Sequence, residues 1–133
     1  MKICVTSIGN TLDSDVDPRF GRCNYFLIVD TDTMSFKSIS NESGMTSGGA
    51  GIQAAQTVAK AGVEVVITGN VGPNAFQTLS AAGILVFTGI NGNVKEAIDK
   101  YKKGEMKETA APSVGSHFGM GGSNGGYGRG RVI

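Results

Sequence analysis

The side chains best equipped for chemistry crowd into residues 13 to 23, DSDVDPRFGRC. Asp13, Asp15 and Asp17 alternate, Pro18 ends the run, and Arg19, Gly21, Arg22 and Cys23 come next. Three chemistries fit such a segment: carboxylates on a divalent cation, guanidinium groups on an anion, or a thiolate on a soft metal. The acidic half suits its chemistry poorly. An EF-hand loop starting at Asp13 needs glycine at its sixth position and glutamate at its twelfth, where the chain has Pro18 and Asn24. A two-metal centre needs carboxylates converging from several strands, and the strand-end candidate, Asp30, falls at the far end of an antiparallel strand.

The basic half is more coherent. Guanidinium groups suit delocalised anions, and the glycine between Arg19 and Arg22 lets the backbone approach a ligand closely. Positive neighbours are expected to draw the Cys23 thiol toward the metal-binding thiolate. A plainer reading stands beside this one: Arg19 pairs with an aspartate and Phe20 packs into the core. Cys4 and Cys23 are the two cysteines, with neither a disulfide framework nor a zinc or iron–sulfur spacing. Cys4 sits in an apolar strand as a small hydrophobe. His117, the single histidine, lies beside Phe118 and Met120 and is a second candidate metal ligand after Cys23. Elsewhere the chain offers no histidine and no positioned nucleophile, which argues against catalysis.

The elements that must hold these residues follow from periodicity. Residues 2–7 (KICVTS) read as a first strand, 25–30 (YFLIVD) as a strand covered on both faces, and 35–40 (SFKSIS) as an edge partner. From Gly51 the period becomes helical, with Ile52, Ala55, Val58 and Ala59 on one face and Gly62 as the stop. VEVVITG (63–69) and ILVFTG (84–89) are expected to be buried strands. Between them lies a helix with Pro73 at its first position and Phe76, Leu79 and Ala82 as its apolar face. Asn93 caps a last helix, VKEAIDKYKKG, in which Glu96 and Lys100 form an i,i+4 pair.

Helix–strand alternation implies parallel strands with right-handed crossovers, whereas the first three strands are joined tightly enough to form a meander. The expected fold is therefore α/β, a mixed sheet with helices on both faces and the second strand antiparallel. Residues 1–111 form the domain; from Pro112 the chain is rich in glycine, serine and asparagine and is expected to be a disordered tail. A length of 133 residues suits one domain, and the net charge of +1 gives no reason to expect nucleic acid or a membrane as partner. No run is long enough to cross a bilayer, and the strand-like N-terminus points to a cytoplasmic protein.

In such a sheet, ligands lie beyond the carboxyl ends of the parallel strands where strand order reverses, here between the first strand and the fourth. The 13–23 segment comes after the first of these. Gly69, Asn70 and Gly72 come after the fourth, in TGNVGPN, and Gly49 opens the first helix in SGGAG. These glycines either present helix N-termini to an anion or simply make tight strand-to-helix turns. If the anion is a phosphate or nucleotide, the aspartates would hold Mg²⁺, and the protein would be an enzyme or sensor.

DPRFGRCNYFLIVD together with GAGIQAAQTVAKAGVEVVITGNVGPNAFQTLSAAGILVF resembles the dinitrogenase iron–molybdenum cofactor biosynthesis family. That family includes NifX-type carriers, the C-terminal domain of NifB-type proteins and small stand-alone relatives. The resemblance implies a three-layer α/β/α fold with a ribonuclease-H-like motif and strand order 3-2-1-4-5. It also implies a non-catalytic carrier of an iron–sulfur-based or iron–molybdenum-type cluster, or its precursor, working between donor and acceptor proteins. Nitrogenase-linked carriers typically have His-Phe-Gly where this chain has Arg19-Phe20-Gly21. That departure favours a stand-alone relative acting on a simpler iron–sulfur species, with Cys23 as the remaining thiolate candidate.

Overall fold

The computed structural model describes residues 1–42 and 49–113. Five strands, β1 (Lys2–Ser7), β2 (Tyr25–Asp30), β3 (Phe36–Ser40), β4 (Val65–Ile67) and β5 (Leu85–Phe87), form one sheet in the order β3-β2-β1-β4-β5. β2 runs antiparallel to both its neighbours, while β1, β4 and β5 are parallel, as the meander and crossovers require. The helices are α1 (Ala50–Lys60), α2 (Pro73–Ala81) and α3 (Val94–Lys102). The glycine-rich tail, and His117 with it, lies outside the described residues from position 114 onward.

Alternation along the strands sorts the core into two layers. Cys4, Phe26, Ile28, Val66 and Val86 face α1 and α2. Ile3, Val5, Leu27, Val29, Val65, Ile67 and Phe87 face α3. β1 is covered on both faces because it is central, and five of its six residues are buried. The edges differ from the uniform burial expected for β5: Leu85 is 43% exposed, since an edge strand is walled on one side only.

In two helices the inward face is rotated part-way from the expected one: Ala55, Val58 and Leu79 are buried and Phe76 packs against the core as expected, and the other expected positions are not buried. In α1 the buried residues are Ala50, Ala54, Ala55 and Val58, while Ile52 and Ala59 are exposed. In α2, Ala75 and Leu79 are buried and Ala82 is exposed. The cause is a close helix pair: a Cβ on Gly51 would stand 3.2 Å from the Cβ of Ala75. Small side chains must line that seam for the backbones to come so near, and the bulky Ile52 is rotated out. Choosing the largest apolar residues misplaces the face whenever the partner is another helix at short range.

In α3, the Asn93 side chain accepts from the Glu96 amide at 2.8 Å, and Glu96 Oε1 accepts from the Asn93 amide at 3.3 Å. Glu96 therefore turns back to complete a capping box instead of reaching forward to Lys100. The helix ends beside the start of β1, where the Tyr101 hydroxyl donates to Met1 Sδ at 3.4 Å. From there the chain returns along β5. The Thr109 amide donates to the Val86 carbonyl at 2.7 Å, and the Ser113 amide to the Val71 carbonyl at 2.9 Å. Because the Asn93 cap satisfies a helix-end donor, Asn93→Ala should cost about 1 kcal/mol. The expected readout is a lower denaturant midpoint at unchanged slope.

Candidate functional site

β1 delivers the chain to the carboxyl edge of the sheet at Ser7, and the return to β2 begins at Asp17. That aspartate is 1% exposed. Its backbone is stitched to β1 in both directions: the Asp17 amide donates to the Thr6 carbonyl at 3.0 Å, and the Thr6 hydroxyl donates to the Asp17 carbonyl at 2.7 Å. The Thr6 hydroxyl also lies 2.8 Å from that of Thr68, just past β4, so the ends of β1 and β4 are joined beneath the turn. The Asp17 carboxylate then organises the residues after it. Oδ1 accepts from the Arg19 amide at 3.1 Å and from Arg19 Nε at 3.4 Å, and Oδ2 accepts from the Asn24 amide at 3.3 Å. A buried carboxylate needs such donors, and meeting that need folds residues 19–24 into a short 3-10 turn over Phe20–Arg22. Phe20 points inward against Phe26, with ring centroids 5.9 Å apart.

The turn lies flat on the neighbouring loop. The Asn70 amide donates to the Pro18 carbonyl at 2.8 Å, and the Phe20 amide donates to the Asn70 carbonyl at 3.2 Å. Two glycines make the approach feasible. A Cβ on Gly69 would fall 2.6 Å from Pro18 Cα, and one on Gly21 would fall 3.0 Å from both the amide nitrogen and Cα of Gly51. These glycines let the backbone approach the protein itself. Their effect is to gather Arg19, Arg22, Asn70 and the start of α1 on one rim.

Three helices begin at this end of the sheet, and they begin differently. The first amides of α3 are consumed by the protein: Val94 donates to the Ser14 carbonyl at 2.9 Å, Lys95 to that of Leu12 at 3.0 Å, and Glu96 to its cap. The segment carrying Asp13 and Asp15 thus closes α3. Neither α1 nor α2 has a side-chain cap; their N-cap residues are Gly49 and Gly72. The ladders start with Gln53 donating to Gly49 and Phe76 to Gly72, each at 3.0 Å, so the amides of Ala50, Gly51, Ile52, Asn74 and Ala75 precede them. Contact between Gly51 and Ala75 sets these two N-termini side by side, with both dipoles favouring negative charge. Arg19 is turned by its Nε contact to Asp17, with 41% of its side chain exposed.

The structure thus brings Arg19, Gly21, Arg22, Gly69, Asn70 and the openings of α1 and α2, at Gly49 and Gly72, to one place. Cys23 departs from the rest. Its side chain is 2% exposed and joins Cys4 in the core layer beneath α1 and α2. Burial, reinforced by Cys4 and Asp17, pushes the thiol well above its ordinary range. Desolvation therefore outweighs the neighbouring arginines, opposite to the expected shift toward thiolate. Asp17 and Asn41 carry weight that the sequence barely announces. The Asn41 side-chain amide donates to the carbonyls of Gly21 at 3.1 Å and Cys23 at 2.9 Å, pinning the turn from the end of β3. The available signal for Asp17 was the Asp-Pro pair, which favours turn initiation. For Asn41 there was none beyond its place after a strand. Among the described residues, no three histidine, cysteine or acidic side chains converge on a possible metal position.

Comparison with known proteins gives a consistent picture. The family described as dinitrogenase iron–molybdenum cofactor matches residues 1–104. The apo form of the orange protein from Desulfovibrio gigas superposes with a TM-score of 0.83 at 45% identity, covering 85% of this chain and 96% of that one. A NifB-like protein of Thermotoga gives a TM-score of 0.72 at 38% identity, covering 80% and 91%. An uncharacterised protein of Methanocaldococcus jannaschii is 28% identical over 112 residues, 81% of this chain and 95% of its own length.

Two outcomes are expected from this geometry. Gly69→Ala must push Pro18 off the end of β4, with a loss of about 1–3 kcal/mol typical of overpacking. A denaturant midpoint and the amide resonance of Asn70 should both move, and an unchanged protein would show the contact to be slack. The thiols of Cys4 and Cys23 should react with a thiol reagent no faster than the chain opens. Since burial raises both thiols, their contribution to stability is complete below the unfolded value, about 8.5, and declines as pH rises above it. Rapid native-state labelling of Cys23 would place its sulfur on the rim instead.

Proposed function

This chain belongs to the dinitrogenase iron–molybdenum cofactor family, and from that premise we propose that it is a non-catalytic carrier of an anionic iron–sulfur-based cluster or cluster precursor. The cargo sits on the rim formed by Arg19, Arg22, Asn70 and the N-termini of α1 and α2. It passes between a protein that donates the cluster and one that accepts it. The observation that carries this reading is the contrast among helix starts. The protein closes α3 with its own carbonyls and a capping box, yet leaves α1 and α2 without side-chain caps, side by side, next to an oriented guanidinium.

Clusters of this class are anionic and expose sulfide, so amides and guanidinium groups can grip them from outside. Arg19, in place of the histidine of nitrogenase-linked members, favours that grip over direct coordination. Cys23, facing the core, leaves the same division of labour. A relative at 45% identity described as an apo form supports a bound group in that protein. The rival reading, Mg²⁺-dependent phosphate binding, needs carboxylates at the rim. Asp13 and Asp15 belong to the exposed segment whose backbone closes α3, and Asp17 is spent inside the turn.

Anaerobic reconstitution with iron and sulfide tests the proposal. Wild-type protein and Cys23→Ala should bind iron with visible absorption. Arg19→Gln with Arg22→Gln should lower affinity at least tenfold, as expected for loss of charge-assisted hydrogen bonds. Binding that depends on Cys23 and not on the arginines would overturn the external grip. No iron in any form would sink the carrier.

A further inference from the structure

The outer face of α1 and α2 differs from the rest of the surface in charge. From Gly49 to Val94 the sequence carries two charged residues, Lys60 and Glu64, whereas the ten residues 94–103 carry six. Lys60 is the last residue of α1, and the Glu64 amide donates to the Lys2 carbonyl, so both lie at the end of the sheet opposite the rim. The side chains exposed along the two helices toward the rim are uncharged: Ile52, Gln53 and Gln56 of α1, and Asn74, Gln77 and Ser80 of α2. Ile52 is 38% exposed in the first turn of α1, beside the rim. Depletion of charge around an outward apolar side chain is the composition of an interface core.

A second copy of the chain fits this face. The eleven residues of α1 span about 16 Å, and two adjacent helices are about 20 Å wide, which gives roughly 300 Å² per copy and about 600 Å² in total. A stable interface buries about 1,200 Å² or more, so the face alone does not hold two chains together. The rim decides the rest. A twofold axis parallel to the helices lets the uncharged faces meet and brings all four N-termini to one end. Arg19, Arg22 and the helix dipoles of both copies then converge there, and empty rims repel each other. A multiply charged anion between them replaces that repulsion with attraction from both sides. An axis perpendicular to the helices would separate the rims and leave the cargo without influence on assembly.

We propose that two copies pair through the uncharged α1–α2 face when cargo is present and hold one anionic cluster between their rims. This rests on the carrier reading and adds that a second copy completes the site. Each chain contributes Arg19, Arg22 and two helix N-termini to the same cluster. The cargo is held while the pair persists and given up when it parts.

The experiment reconstitutes full-length protein anaerobically with iron and sulfide and follows its mass by sedimentation equilibrium. Empty protein should sediment as one chain and loaded protein as two, with half as much cluster as chain. Gln56→Glu with Gln77→Glu sets like charges face to face, and the loaded pair should dissociate at least tenfold more readily. Both positions are exposed, so the empty variant should keep its denaturant midpoint. Mixing it with a Gln56→Lys, Gln77→Lys variant should restore a loaded pair of unlike chains, which a loss of fold would not do. Loaded protein that remains a single chain overturns the sharing and leaves the carrier standing. A pair equally stable when empty, or indifferent to these substitutions, overturns the role of the cargo or of the face. Absence of iron from the wild-type protein removes both readings.

Discussion

The turn from Pro18 to Cys23 has to lie flat across the carboxyl ends of β1 and β4, and the constraint that permits it is the bare Cα of Gly69 under Pro18. Everything at this end of the molecule depends on that approach. Once Pro18 is down, its carbonyl meets the Asn70 amide, Phe20 reaches the core, and Gly21 comes against the first turn of α1. The carboxylate of Asp17 completes the arrangement from beneath. A buried charge is tolerable when every lone-pair direction that matters is met by a donor, and here the donors are two amides and the arginine that the turn displays. One side chain therefore shapes the loop and aims its cation.

The same economy explains why α1 and α2 start without side-chain caps. Orphan amides at a helix start have to be satisfied by caps, water or something bound. The long connection between β1 and β2 crosses the sheet edge and satisfies those of α3 with the Leu12 and Ser14 carbonyls. It then lies across the ends of β1 and β4 and approaches α1 with Gly21, which offers no side-chain acceptor. Because Gly51 meets Ala75 at the seam between α1 and α2, the two starts are drawn close together with their dipoles favouring negative charge on the same side. Helix packing on the inner side thus sets the electrostatics of the outer rim.

The pairing directions were legible in the sequence because they follow from connection lengths and β-branched runs, which are local, while the full strand order came with the family resemblance. The position of Asn93 as a cap was legible for the same reason. The buried faces of α1 and α2 were legible in part, at Ala55, Val58 and Leu79, but not at Ile52, the largest apolar residue of its helix, which the proximity of Ala75 turns outward. Nor could the state of Cys23 be read. Its neighbours in sequence are arginines, but its neighbours in space are Phe20, Phe26 and Cys4, and desolvation prevails. The aspartates had to be divided: Asp13 and Asp15 stay exposed while Asp17 is buried, and alternation alone gives no reason for the third to differ. The gathering of Arg19, Asn70 and the two glycine-capped helices could be anticipated in outline from the expected adjacency of β1 and β4, but not the contacts of Pro18 with Gly69 and of Gly21 with Gly51 that bring it about.

Arginine at position 19 gives the carrier reading a definite physical character. A histidine can enter the coordination sphere of a metal and must be displaced from it for the cargo to leave. A guanidinium stays protonated throughout the physiological range and has no lone pair to offer, so its hold is on the outer atoms of the cargo. Such a hold is strong where water is excluded and weak where water enters, because the same charges interact several-fold less in a high dielectric. Arg19 is partly exposed and its Nε is already engaged by Asp17. A carrier built this way needs no ligand exchange to give up its cargo: admitting water to the rim, or presenting a competing set of cations on an acceptor, is enough.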